Sequence, residues 1–301
     1  ACDADWIIPV NRVKPHTKFN APVESGLCKM LTIGLGKAEG AGEFHRQAIF
    51  HGFKIIEEAA SFLLRSKKVL FGLALVEDGS GKLAHVEALH PSGLIEREKE
   101  LLKDAYAYMA KIPVDHVDVL IVDQIGKDIS GIGMDSNITG RHRDIVGDFF
   151  KYPHAKRIFV RELSSGSDGN ANGIGLADVT TSRLVEQMDM AKTRINAVTA
   201  ISPEKAAIPV YFDSDRECLY ACIATAGIKD LDSARVVRIM DTKNLEYIQV
   251  SRAFEKEILS DGNLKILSEW APVIFDERGN LSGWDIPEKP TPSEKKSESR
   301  S

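Results

Sequence analysis

The chain has 301 residues, 43% of them hydrophobic, with 39 basic against 44 acidic side chains and a formal net charge of −5. That is a soluble composition long enough for two packed domains. Scattered basic residues leave no nucleic-acid footprint, and no apolar run is long enough to span a membrane. The four cysteines, Cys2, Cys28, Cys218 and Cys222, are too dispersed for a zinc or iron–sulfur set. Reduced thiols in a cytoplasmic protein are therefore expected. The opening ACDADW is polar and unlike a signal peptide.

WIIPVNRV, residues 6–13, reads as a buried strand. A strand so close to the start, without an initiating methionine, leads to the expectation of further residues upstream. After the loop KPHTKFNAPVE, a short helix is expected over 25–34, with Leu27, Met30, Leu31 and Gly34 at helical spacing. GKAEGAG should break it. A long amphipathic helix then runs over 43–65, with Phe44, Ala48, Ile55, Ala59, Phe62 and Leu63 apolar. Arg65, Lys67 and Lys68 suit the negative end of its dipole. VLFGLALVEDGSGKLAHVEAL reads as a hairpin about DGSG, followed by a charged helix over 92–111.

VDHVDVLIVDQIG begins a second series. Strands near 157–163, 207–212 and 235–240 alternate with helices near 175–188 and 214–226. The alternation predicts an α/β protein of two domains, mostly parallel sheets flanked by helices, with the active site in the inter-domain cleft. The expected division is a catalytic, cofactor-binding domain at 1–112, lacking its N-terminal part, and a second α/β domain at 113–280. The proline-, serine- and charge-rich 281–301 reads as a disordered tail.

Chemistry-bearing residues cluster early. His16 lies in KPHTKF just beyond a strand end, where α/β proteins keep their sites, among the basic Arg12, Lys14 and Lys18. That loop suits an acidic substrate or a phosphate. Lys29 sits among apolar neighbours that would desolvate it, lower its pKa and leave a nucleophilic amine; a lysine reaching out to solvent from a helix edge is the plainer alternative. Gly34, Gly36, Gly40 and Gly42 do not form the dinucleotide fingerprint. Glycines before a helix still allow close approach of a ligand. His45, expected in the first turn of the following helix, would be held neutral and able to bind a metal. The other histidines read as structural or surface residues. Two polar loops also stand out. Residues 123–141 carry Gln124, Lys127, Asp128, Asp135 and Asn137; the other places Asp168, Asn170 and Asn172 before a helix. Each is either a binding loop or a set of tight turns.

NRVKPHTKF, ESGLCKMLTIGLGKAEGAGEFH, VDVLIVDQIGKDISGIGMD and NANGIGLADVTT together resemble the lactate racemase domain proteins of the nickel-pincer type. The likeness runs over most of residues 6–250, nearest to a branch distinct from the founding lactate racemases. It implies a racemase or epimerase of a small 2-hydroxy acid in which a hydride leaves and returns to the alcohol carbon. The implied cofactor is a nickel-pincer nucleotide, a pyridinium thioamide/thiocarboxylate mononucleotide holding nickel through two sulfurs and one carbon. By the same resemblance Lys29 matches the covalent tether, with Gly36 and Gly40 beside the cofactor, and His45 matches the nickel ligand. His16 matches one of two acid/base histidines, and Gln124 and Lys127 match the pair that binds the substrate carboxylate. The first acid/base histidine would lie upstream of residue 1, and the loop from His16 to Lys29 departs from the founding members. Two other readings stand beside this one. The first is a scaffold relative acting as a small-acid or metal-binding accessory protein. The second is a nucleotide-dependent oxidoreductase.

Overall fold

The computed structural model describes residues 4–66, 68–144, 149–150 and 152–284. Its first sheet has three strands, β1 (Val10–Arg12), β2 (Gly72–Glu77) and β3 (Leu83–Leu89), in the order β1-β2-β3. β1 and β2 are parallel, while β2 and β3 form the expected antiparallel hairpin. Asp78 closes its turn by accepting the Ser80 and Lys82 N–H groups at 2.8 and 3.0 Å, a carboxylate standing in for a backbone acceptor. Ala74, Val76 and Leu89 turn inward onto a core with Leu27, Phe44, Ile56, Leu94 and Leu101.

The helices covering this core differ from expectation. A helical stretch begins at α1 (Leu27–Lys29), widens into a π-type turn over Met30–Gly34 and continues as α2 (Leu35–His51). GKAEGAG does break the helix, at a single residue: Lys37 leaves helical geometry, with φ 55° and ψ −151°, so two helices meet across a kink there. Each glycine costs a helix about 1 kcal/mol relative to alanine, and the interleaved alanine and glutamate residues are strong helix formers, so the break is local. The helix expected over 43–65 is instead interrupted at Gly52, whose φ of 69° is open to glycine, and resumes as α3 (Ile55–Ser66). α4 (Leu94–Tyr108) follows the hairpin.

The second sheet has six strands in the order β11-β10-β4-β7-β8-β9. They are β4 (His116–Ile125), β7 (His154–Leu163), β8 (Val179–Thr181), β9 (Val210–Phe212), β10 (Val236–Ile239) and β11 (Gln249–Val250). β5 (Arg141–His142) and β6 (Phe149–Phe150) pair separately. Every neighbouring pair in the six-stranded sheet is parallel except β10 with β11. Helices α5 (Ser136–Thr139), α6 (Ser182–Gln187), α7 (Met190–Thr199), α8 (Asp215–Thr225) and α9 (Glu255–Ser260) connect and cover it. The fold is thus mixed α/β, with mostly parallel strands flanked by helices. The helix expected over 175–188 gives way to β8 before α6 begins. Val-Thr-Thr is β-branched, and the Thr180 and Thr181 hydroxyls donate to the carbonyls of Val160 and Arg161 at 2.8 and 2.6 Å.

From Val119 to Asp123 the side chains of β4 alternate between two cores. Leu120 and Val122 join Ile158, Val160, Leu184 and Phe254 on one side. Val119 and Ile121 join Phe159, Cys218, Cys222 and Leu281 on the other. Burial raises the Cys218 and Cys222 thiols to about 12, so both behave as small apolar groups. On that second side Asp123 accepts from Arg238 at 2.6 Å, pairs with Arg161 at 3.0 Å and accepts the Trp284 indole N–H at 2.6 Å. Arg161 also binds Asp215, whose carboxylate accepts the Leu281 N–H at 2.9 Å. Of the tail expected at 281–301, residues Leu281 to Trp284 strap this network, and those from 285 onward lie outside the described residues.

Candidate functional site

The loop between β1 and α1 is held by one buried carboxylate. Glu24 accepts the N–H groups of His16 and Ala21 at 2.6 and 3.0 Å and the Tyr106 hydroxyl at 3.0 Å. The His16 ring stacks on Phe19, centroids 4.3 Å apart, and Phe19 stacks on Phe53. His16 Nδ1 accepts the Lys18 N–H at 3.1 Å. The His16 carbonyl accepts from Asn137 Nδ2 at 3.2 Å, tying the loop to the second sheet. Ring plane, backbone and one ring nitrogen are all fixed.

Lys29 lies one strand pairing away. Lys14 bridges Ser25 through its backbone, and Lys29 follows one turn later in the helical stretch. Burial brings the Lys29 amine down to about 8, and the neighbouring Lys14 adds to the fall. Lys14 itself is lowered, first by burial and then by Arg12, with Asp135 and Glu77 acting in the opposite sense. Lys14, Lys29 and Asp135 therefore form one electrostatic group joining the first sheet to the second. Beneath it, Glu98 accepts the N–H groups of Leu27 and Cys28 at 2.6 and 3.1 Å, satisfying the start of α1 from a distant helix.

Helix placement alters two expectations. The side chain of His45 lies outside the described residues, but its backbone stands about two turns past the break at Lys37. It is not in a first helical turn, and the dipole argument for its neutral form fails. Gly36 and Gly40 have open space where a side chain would begin, whereas a Cβ at Gly26 or Gly72 would strike packed atoms. The chain's own packing does not demand those two glycines.

Gln124, near the end of β4, and Lys127, in the turn just past it, serve different surroundings. Gln124 lines an open groove of about 440 Å³ with Glu162, Ser164, Ser165 and Gln187, at the carboxyl ends of β4 and β7. Lys127 Nζ instead donates to the Gly131 carbonyl at 2.5 Å and to Asn196 Oδ1 at 3.0 Å, and burial lowers its pKa. A larger hollow of about 640 Å³ over Arg252 and Ile266–Trp270 touches none of these residues. The second polar loop is organised internally. Asp168 pairs with Lys192 at 2.6 Å, and Asn170 Oδ1 accepts the Asn172 N–H at 3.1 Å. It packs backbone to backbone on the first loop, since a Cβ at Gly133 or Gly173 would run into Asn172 or Ile132 carbonyl oxygens.

One cluster went unseen in the sequence. Lys18 donates to the Ala200 carbonyl at 2.7 Å and pairs with Asp144 at 3.1 Å. Lys205 meets the same carboxylate oxygen at 3.3 Å, Ser202 donates to it at 2.5 Å, and His142 Nε2 lies 3.9 Å away. All five residues are buried. Its members are scattered from residue 18 to 205, and no local pattern connects them. Glu98 was more accessible to reasoning, because it interrupts the buried stripe Leu94, Leu101, Leu102 and Ala105 of α4.

Among the described residues no group of three or more His, Cys, Asp or Glu side chains is placed to hold a metal ion. No helix among them is long and apolar enough to cross a membrane. No protein-family model, curated protein or solved structure matches the chain.

Proposed function

We propose that this chain acts as a 2-hydroxy acid racemase or epimerase. Its site lies in a cleft between a first domain built on the three-stranded sheet and a second built on the six-stranded sheet. The observation that carries the reading is Lys29, a half-buried residue among Leu27, Cys28 and Leu31 whose amine burial and a neighbouring lysine bring down to about 8. Near neutral pH such a lysine offers a substantial share of the unprotonated form that attacks a carbonyl or thioacid carbon, where an ordinary lysine offers almost none.

The nickel-pincer nucleotide fits what surrounds Lys29. Lys29 would carry it covalently, and the open flank of Gly36 and Gly40 leaves room for a flat ring. With the nucleotide itself supplying most of the metal's donors, a single protein donor, assigned to His45, would suffice, and no three-residue cluster is needed. When bound, the group supplies a reversible acceptor for the hydride of the alcohol carbon.

The remaining work falls to the chain. His16, fixed by Phe19 and Glu24, would hydrogen-bond the substrate's hydroxyl or carbonyl oxygen. Lys127 uses two of its three N–H groups on Gly131 and Asn196, leaving one for the substrate carboxylate. Gln124 would bind from the groove side, and Lys14 would add positive charge against the anion.

The test is full-length protein co-produced with the cofactor pathway. The expected result is stoichiometric nickel, a mass increase on the peptide containing Lys29 that Lys29→Ala abolishes, and racemisation of a 2-hydroxy acid by chiral chromatography. Protein lacking both nickel and adduct overturns the reading. Binding of small acids without turnover of either enantiomer would favour an accessory role instead, and consumption of a nicotinamide would favour an oxidoreductase.

A further inference from the structure

We propose that Lys18 is a positioning residue: clamped against Asp144, it holds His16 in the form protonated at Nε2 and makes that ring a hydrogen-bond donor toward the substrate oxygen. The tautomer is argued from the contact at Nδ1, while the role toward substrate rests on the racemase reading.

A neutral imidazole has one N–H and one lone pair. The Lys18 N–H points at His16 Nδ1 from 3.1 Å, which commits that lone pair and leaves the proton to Nε2. Such a contact is ordinary when only a turn supports it. His90 Nδ1 meets the Ser92 N–H at 3.3 Å and the Ser92 hydroxyl at 2.9 Å, both in an exposed turn. At Lys18 the donor cannot drift, because its side chain is anchored at the far end. Its ammonium is buried, donates to the Ala200 carbonyl at 2.7 Å and pairs with Asp144 at 3.1 Å.

Asp144 is itself immobilised by Lys205 and Ser202. The ring is held in plane by Phe19, the His16 N–H by Glu24 and its carbonyl by Asn137. The clamp therefore reaches from the second sheet, through one lysine side chain and its own backbone, to a single ring nitrogen. A ring so held polarises a carbonyl or hydroxyl oxygen through Nε2–H, as a neutral electrophile, and serves as a base at Nε2 only after the Lys18 contact is released.

The experiment is a long-range nitrogen–proton spectrum of the histidine rings in the full chain at neutral pH, with His16 assigned by the signals lost in His16→Gln. Wild-type protein should show a pyridine-type Nδ1 and a pyrrole-type Nε2 at His16. Lys18→Met keeps the backbone donor but releases its anchor, so the His16 ratio should move toward the Nδ1–H form, by at most roughly fivefold, the full weight of one ordinary hydrogen bond. Asp144→Asn should move it in the same direction.

A wild-type His16 protonated at Nδ1, or a Lys18→Met spectrum identical to wild type, overturns the proposal. Should Lys18→Met fail to fold, the wild-type spectrum alone decides. In cofactor-loaded protein, Lys18→Met should lower kcat with KM unchanged. A loaded wild type inactive on every hydroxy acid would remove the racemase reading and the substrate half of this proposal together. A wrong tautomer in an active enzyme would overturn this proposal alone.

Discussion

Replacing Lys29 by methionine removes the amine and keeps the length of the side chain. In the folded protein the group titrates at about 8, against 10.5 for an ordinary lysine. Burial is the main cause and repulsion from Lys14 the second. Between those two values the unfolded chain binds more protons than the folded one, so stability rises with pH across the window. The cost of the buried ammonium is full below about 8 and gone above 10.5. At about 1.4 kcal/mol per unit, the gap amounts to at most about 3 kcal/mol. Urea unfolding at pH 7 should therefore find Lys29→Met more stable than wild type by roughly 1–3 kcal/mol. The excess should shrink steadily as pH is raised through the window, and relief of Lys14 acts in the same direction. Competitive acetylation followed by mass spectrometry gives a second readout, because Lys29 should label with a midpoint near 8 while surface lysines label far higher. A stability difference that does not change with pH, together with ordinary labelling, would refute the reasoning.

Asp123→Ala removes the carboxylate shared by Arg161, Arg238 and the Trp284 indole, leaving Arg161 on Asp215 and Arg238 on Gln249, and should cost about 3 kcal/mol in urea unfolding with a shift in Trp284 emission; an unchanged midpoint would show the network to be idle. Gly40→Ala meets nothing within 4 Å inside a helix, so melting temperature should rise by the equivalent of about 0.5–1 kcal/mol in apo protein. The same change should reduce adduct formation at Lys29 in cofactor-loaded cells, and a variant equally well loaded would remove Gly40 from the site.

What could be read from the sequence divides along physical lines. The six-stranded core announced itself because Val117, Val119, Leu120, Ile121 and Val122 form an apolar run that only a doubly covered strand tolerates. Lys29 was visible for a related reason: its neighbours Leu27, Cys28 and Leu31 are apolar, and all are buried. β8 was missed because three residues carry too little periodic signal before α6. The break in GKAEGAG was legible from its glycines, and the alanine and glutamate between them confine it to Lys37. The link from Lys18 to Asp144 and Lys205 arises only when loops from both sheets meet, and local spacing holds no trace of it. The pairing of Gln124 with Lys127 by their three-residue step likewise said nothing of where each side chain goes.

β4 has a consequence for how this protein tolerates change. Successive residues from Val119 to Asp123 answer to opposite sides of one sheet, and Gln124 opens the groove immediately afterward. A substitution scan along this strand should therefore read out with a period of two. Asp123 belongs to the side sealed by Trp284, whereas Leu120 and Val122 underlie the side from which α6 leads to the groove. Changes that reshape the groove can thus fall on one parity of a single strand while the other parity keeps the sheet closed. The insulation between them is one peptide plane thick.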